Sequence, residues 1–139
     1  ELLADLLELG TELAVELVAA DPAQVRQLTS ALTAEHGPSR LSCHFHDTRA
    51  MGLANVYAAF ESGIRAFDAS IAGLGGCPFA PGASGNVATE DVVYMLHGMG
   101  IDTGVDMAKL LEAGRFITDF LGREPVSRAA TALLRKQAG

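Results

Sequence analysis

Strand-like and helix-like segments alternate along this chain, and that alternation limits its possible folds more than any other feature. Leu2, Leu3, Leu6, Leu7 and Leu9 recur at helical spacing, and Gly10 is placed to stop a first helix. Residues 11–18 (TELAVELV) alternate Leu13, Val15 and Leu17, which predicts a short strand. Asp21, Pro22 and Gln24 fall at the cap, first and third positions of a helix with Val25, Leu28 and Leu32 on one face. Gly37 and Pro38 end it. Residues 40–47 (RLSCHFHD) read as a second strand, followed by a helix with Leu53, Val56, Tyr57 and Phe60 as its apolar stripe and Gly63 as its close. Residues 64–72 (IRAFDASIA) read as a third strand that runs into a long loop. Thr89 is placed to cap a helix whose face is Val92, Leu96 and Met99, and Met107, Leu110, Leu111 and Leu121 mark another.

Strands separated by helices of this length imply parallel strands joined by crossover helices, either in a doubly wound sheet or in a piece of a (β/α)8 barrel. Three strands cannot close a barrel, which typically takes about 250 residues. A barrel reading therefore makes these 139 residues a C-terminal part. The expected fold class is α/β: about three parallel strands with crossover helices, plus C-terminal helices, in one domain. Barrel strands and helices would occupy residues 1–124, and a helical tail residues 125–139.

Apolar residues make up 49% of the chain, enough for a core. A net charge of -7 argues against a nucleic-acid partner, which needs a basic surface, and leaves Arg123, Arg128, Arg135 and Lys136 as a solvated tail. Cys43 and Cys77 are too few for a disulfide framework and suit a reducing compartment. No signal peptide and no membrane-spanning apolar run are legible, so no membrane partner is expected.

The loop, residues 71–86 (IAGLGGCPFAPGASGN), holds five glycines, two prolines and a cysteine. Such a composition suits tight turns and close approach of backbone to a bound molecule. Cys77 sits at its centre and Asn86 at its end. A thiol so placed can act as acid, base or nucleophile, or be a small buried hydrophobe. Asn86 can cap the chain or offer a neutral oxygen ligand. His44 and His46, two apart on a strand, point to one face while Cys43 and Phe45 point to the other. Two imidazoles near a strand's C-terminal end are either a metal-ligand pair or core histidines satisfied by hydrogen bonds. A zinc site that also used Cys43 would need both faces of one strand. Asp47 and Thr48 can orient a histidine or turn the chain, and Asp68 and Ser70 share a face of the third strand as outer hydrogen-bond partners. The glycines match neither a P-loop nor GxGxxG.

At HFHDT (residues 44–48), SIAGLGGCPFAPGASGNVATED (70–91) and VYMLHGMGIDTGVDMAKLLEAG (93–114) the chain resembles the 3-hydroxy-3-methylglutaryl-CoA lyase family, which are metal-dependent (β/α)8 barrel enzymes. The resemblance implies a carbon–carbon lyase that splits 3-hydroxy-3-methylglutaryl-CoA into acetyl-CoA and acetoacetate, in leucine degradation and ketone-body formation. By position it makes His44, His46 and Asn86 ligands of a divalent cation, Mg2+ or Mn2+, and Cys77 the general acid toward the departing enolate, with His44 also in the catalytic set. Asp47, Thr48, Asp68, Ser70, Gly75 and Gly76 become outer partners or substrate-loop positions. An acyl-CoA substrate, a homodimer and a bacterial cytoplasmic or eukaryotic mitochondrial location are further implications.

The family's first strand supplies an aspartate ligand with an adjacent arginine, and its second strand a further acid. Neither has a counterpart in this sequence, so the resemblance leaves the metal without an anionic protein ligand. The family's aspartate-threonine-glycine turn before the helix at Asp21 is also missing from TELAVELVAADP. Open-edged strands and uncovered apolar faces lead to the expectation that these 139 residues alone are inactive or poorly folded. The alternatives are an inactive barrel remnant or binding module, or a related acyl-CoA aldolase or synthase.

Overall fold

The structure, a computed structural model, describes residues 4–9, 12–17, 19–76 and 85–138. They divide into two compact units, Glu1–Asp68 with Gly76–Asn86, and Ala69–Gly75 with Val87–Gly139.

The first unit is built on a four-stranded sheet in sequential order: β1 (Ala4–Leu9), β2 (Glu12–Leu17), β3 (Leu41–Phe45) and β4 (Ala66–Asp68). As expected, β2, β3 and β4 run parallel, and crossover helices α1 (Pro22–His36) and α2 (Gly52–Glu61) join them. The first expected helix is instead β1, antiparallel to β2 with Leu9 opposite Glu12 and Ala4 opposite Leu17. With only two residues between Leu9 and Glu12, the segment can satisfy its backbone by pairing with β2 as a hairpin, and that pairing overrides the helical leucine spacing.

Strand alternation sets the core. Leu13, Val15 and Leu17 on β2 and Leu41, Cys43 and Phe45 on β3 are all buried. Helix α1 begins as the sequence predicts. Asp21 Oδ1 accepts from the backbone N–H groups of Ala23 and Gln24 at 2.8 and 3.0 Å, and Gln24 Oε1 accepts from Asp21 N–H at 3.0 Å. Val25 and Thr29 are its buried residues, while Leu28 and Leu32 are half-buried. On α2 the buried residues are Gly52, Asn55, Val56, Ala58 and Ala59, which keep only Val56 of the expected stripe, so Tyr57 is exposed. Asn55 Nδ2 donates to Ala20 O at 2.8 Å and ties α2 to the β2–α1 connection.

The third strand is shorter than expected. β4 ends at Asp68, and in the second unit Ser70 bridges to Ala88 before a 3-10 turn at Ile71–Gly73. Helices α3 (Thr89–Gly98), α4 (Met107–Leu121) and α5 (Arg128–Ala138) complete that unit. Thr89 is not the cap of α3. Ala88 holds that position, and Thr89 N–H donates to Ser70 O at 2.9 Å. Val92 and Leu96 are buried as expected, but Met99 and Leu121 are exposed. Asp91 Oδ1 accepts from Ser127 Oγ at 2.9 Å and Ala129 N–H at 2.8 Å, which fixes the start of α5 on α3. Among the described residues no helix is long and apolar enough to cross a membrane.

Glu90, wholly buried on α3, clamps the 3-10 turn: both its carboxylate oxygens accept from Ala72 N–H, at 2.9 and 3.0 Å. Ala72 there adopts φ +57°, a conformation unfavourable to a side-chain-bearing residue. Gly114 of α4 gives the carboxylate its space, since a Cβ at that position would lie 2.6 Å from Oε1. Burial pushes the Glu90 carboxyl above its ordinary 4.5, against the pull of its backbone N–H partners. A raised acid contributes stability that is complete below the unfolded value and is lost as pH rises through the folded one. The thermal midpoint is therefore expected to fall as pH increases above 4.5 across that interval, and Glu90→Gln to flatten this part of the profile. Identical pH slopes for the two proteins in thermal melts would contradict the assignment.

Candidate metal centre

The parallel register of β2 on β3 places Glu16 beside His44, Val15 beside Cys43 and Leu17 beside Phe45. Cys43 and Phe45 are fully buried in the core, so the alternation turns His44 and the following His46 to the opposite face. The two imidazoles meet edge to face, with ring centroids 5.1 Å apart. Asn86 is held beside them by an antiparallel bridge to His46, and its Oδ1 lies 3.1 Å from His44 Nε2. Gly85 adopts φ +52° and its carbonyl accepts from Asp47 N–H at 3.3 Å, so the end of the loop follows the end of β3.

Glu16 completes the cluster. Its Oε1 is 3.6 Å from His46 Nε2, and Glu16, His44 and His46 each offer a ligand atom within 4.8 Å of the others. Burial, and then the neighbouring His44, push the His46 pKa down, while Glu16 pulls it up. A lowered value favours the neutral imidazole that metal binding requires. His46 Nδ1 is buried without a hydrogen-bond partner. The donor set, two imidazoles with a carboxylate and an amide oxygen, fits a bound divalent cation.

The structure thus brings His44, His46 and Asn86 together. Asp47 faces elsewhere: its Oδ1 accepts from Gly52 N–H at 2.7 Å and shapes the start of α2. Thr48 Oγ1 is buried without a partner. Asp68 ends β4 in register with His44 and is exposed, and Ser70 belongs to the bridge with Ala88 rather than to one strand with Asp68. Gly75, at φ +109°, and Gly76 are exposed. Cys77 lies outside the described residues.

Glu16 is the residue that sequence reasoning missed: its carboxylate stands beside the histidine pair, although the family's first-strand aspartate has no counterpart in this sequence. Its signal was available in part. Glu16 is out of phase with Leu13, Val15 and Leu17, so it had to leave the core face of β2.

The HMGL-like family model matches residues 12–117. The chain belongs to this family. It is 55% identical over 111 residues to the 3-hydroxy-3-isohexenylglutaryl-CoA/hydroxymethylglutaryl-CoA lyase of Pseudomonas aeruginosa, which covers 80% of this chain and 37% of that one. Among solved structures it is similar to the HMG-CoA lyase of Bacillus subtilis, at a TM-score of 0.83 and 46% identity, covering 88% of this chain and 42% of that one. It is also similar to an HMG-CoA lyase from Acinetobacter baumannii in complex with coenzyme A and 3-methylmalate, at a TM-score of 0.79 and 45% identity, covering 84% and 40%. This HMGL-like chain therefore spans well under half the length of these relatives, and its parallel strands and helices form part of a (β/α)8 barrel.

On the core face of β3, burial and then the charge of Asp68 push the Cys43 thiol up to about 12, so it stays protonated and inert. In a Cys77→Ser variant, a thiol reagent at neutral pH is expected to leave native Cys43 unlabelled and to modify it fully in denaturant. Rapid native labelling would contradict its placement in the core.

Proposed function

We propose that this HMGL-like chain is the C-terminal part of a hydroxymethylglutaryl-CoA lyase, which cleaves 3-hydroxy-3-methylglutaryl-CoA to acetyl-CoA and acetoacetate. The observation that carries the reading is the convergence of His44, His46 and Asn86 at the end of β3. The names of the relatives support it, as does the coenzyme A bound in the Acinetobacter baumannii structure.

His44 and His46 offer neutral imidazole nitrogens and Asn86 an amide oxygen to a divalent ion, Mg2+ or Mn2+. When bound, such an ion supplies Lewis-acid polarisation of a substrate hydroxyl and a template for its carboxylate. The chain's own residues do the rest. Asn86 is fixed on the histidines by its bridge to His46, so the 71–86 loop ends at the site. Cys77, nine residues before Asn86 in the loop, delivers a proton to the carbon of the departing acetyl-CoA enolate. His44 completes the catalytic set, with Asp47, Thr48, Asp68, Ser70, Gly75 and Gly76 as supporting and substrate-loop positions. The reaction belongs to leucine degradation and ketone-body formation, carried out by a homodimer in the bacterial cytoplasm or the mitochondrion.

A longer chain that supplies the remaining barrel strands is expected to cleave the CoA thioester with Mn2+ or Mg2+, whereas the 139-residue chain alone is expected to be inactive. Cys77→Ala should lower kcat by at least about a hundredfold, the low end of a lost general acid, and leave metal affinity unchanged. Absence of turnover by the longer chain in a coupled acetoacetate assay would sink the proposal.

A further inference from the structure

Glu16 lies outside the ligand set that family resemblance assigns, yet the fold delivers its carboxylate to the same place. We propose that Glu16 is a direct metal ligand, completing a Glu16–His44–His46–Asn86 donor set that takes a divalent first-row transition-metal ion in preference to magnesium. The inference rests on the reading above that the histidines and Asn86 hold a divalent ion.

Placement is the first argument. Glu16 is the β2 partner of His44, and residues in parallel register project to the same side of a sheet. A one-residue slip would send Glu16 into the core and Leu17 out of it, so the burial of Leu13, Val15 and Leu17 locks the carboxylate beside the imidazoles.

The spacings are the second argument. Two donors each about 2.1 Å from one ion lie about 3.0 Å apart at a right angle and about 3.4 Å apart at a tetrahedral angle. His44 Nε2 to Asn86 Oδ1 is 3.1 Å, and His46 Nε2 to Glu16 Oε1 is 3.6 Å. The second contact is a long ion pair, beyond ordinary hydrogen-bond length. It is close to what two ligands of a shared ion require. The side chain of His46 is 3% exposed and that of Glu16 34% exposed, so a rigid imidazole faces a carboxylate with freedom to close the last few tenths of an ångström.

The third argument is donor chemistry. Magnesium favours six oxygens and keeps several waters, whereas two imidazoles with a carboxylate match Mn2+, Fe2+, Co2+ or Zn2+. Glu16 also contributes the negative charge that His44, His46 and Asn86 lack.

The test is a Co2+ titration of the longer chain that supplies the remaining barrel strands, read by d–d absorption and by competition with a chelator, alongside Glu16→Gln and His46→Ala. Far-UV circular dichroism checks that each variant is folded. Glu16 is 34% exposed, and glutamine preserves its shape. Expected results are one bound Co2+ that a large excess of Mg2+ does not displace, and a Glu16→Gln affinity weakened by more than about tenfold, the least that even an outer-shell partner costs. The d–d spectrum of the glutamine variant should also change. Wild-type affinity in Glu16→Gln with loss in His46→Ala would overturn the Glu16 assignment and leave the histidine site standing. Weakened binding with an unchanged spectrum would equally overturn direct ligation. Ready displacement by Mg2+ would refute the stated preference, and no Co2+ binding by the folded wild type would overturn both this inference and the metal site beneath it.

Discussion

The parallel pairing of β2 with β3 is the constraint on which the site depends. It aligns Val15 with Cys43 and Leu17 with Phe45 on the core face, and the same backbone bonds align Glu16 with His44 on the other. The burial energy of those apolar side chains, about 1.5–3 kcal/mol for each large one, holds the register. The site's geometry is therefore held by hydrophobic residues that never touch it. A slip of one residue would exchange the two faces and destroy core and cluster together.

Local chemistry was the part most legible beforehand. The Asp21–Pro22–Gln24 pattern predicts the start of α1 because every hydrogen bond of its cap lies within four residues of sequence. The facing of His44 and His46 follows from strand alternation alone. What failed depended on distant partners. The leucines of β1 carry helical spacing, but the strand next to them claims their backbone. The buried face of α2 differs from the expected stripe because its neighbours choose it, taking Gly52, Asn55, Val56, Ala58 and Ala59 and leaving Tyr57 outside. Glu16 is the same lesson within the site. Its place opposite the core was readable, but its nearness to His44 is a fact of inter-strand register, which a single sequence does not print.

The two units use buried polar groups differently. Glu90 is satisfied, with both oxygens on Ala72 N–H, and its role is to hold a turn whose backbone is strained at Ala72. Asp91, next in sequence, likewise spends its carboxylate on Ser127 and Ala129. Those acids hold structure. At the end of β3 the polar groups are left incomplete: His46 Nδ1 and Thr48 Oγ1 are buried without partners.

Such an orphan costs about 1–3 kcal/mol, and a fold tolerates it where something else is gained. Two of the four orphaned buried side-chain atoms among the described residues fall within three positions of chain, His46 and Thr48, while the other two, on Thr33 and Asn55, are on helices. His46 and Thr48 both follow directly on β3, the strand that carries His44. A ligand that engages His46 only in the folded chain links binding to folding, adding about 2.7 kcal/mol when its free concentration is a hundred times its dissociation constant. The first unit would feel that gain most directly, because the cluster joins β2, β3 and the end of the loop at Asn86. Metal at this position would then be structural as well as chemical: it binds elements whose mutual register the apolar core has already set.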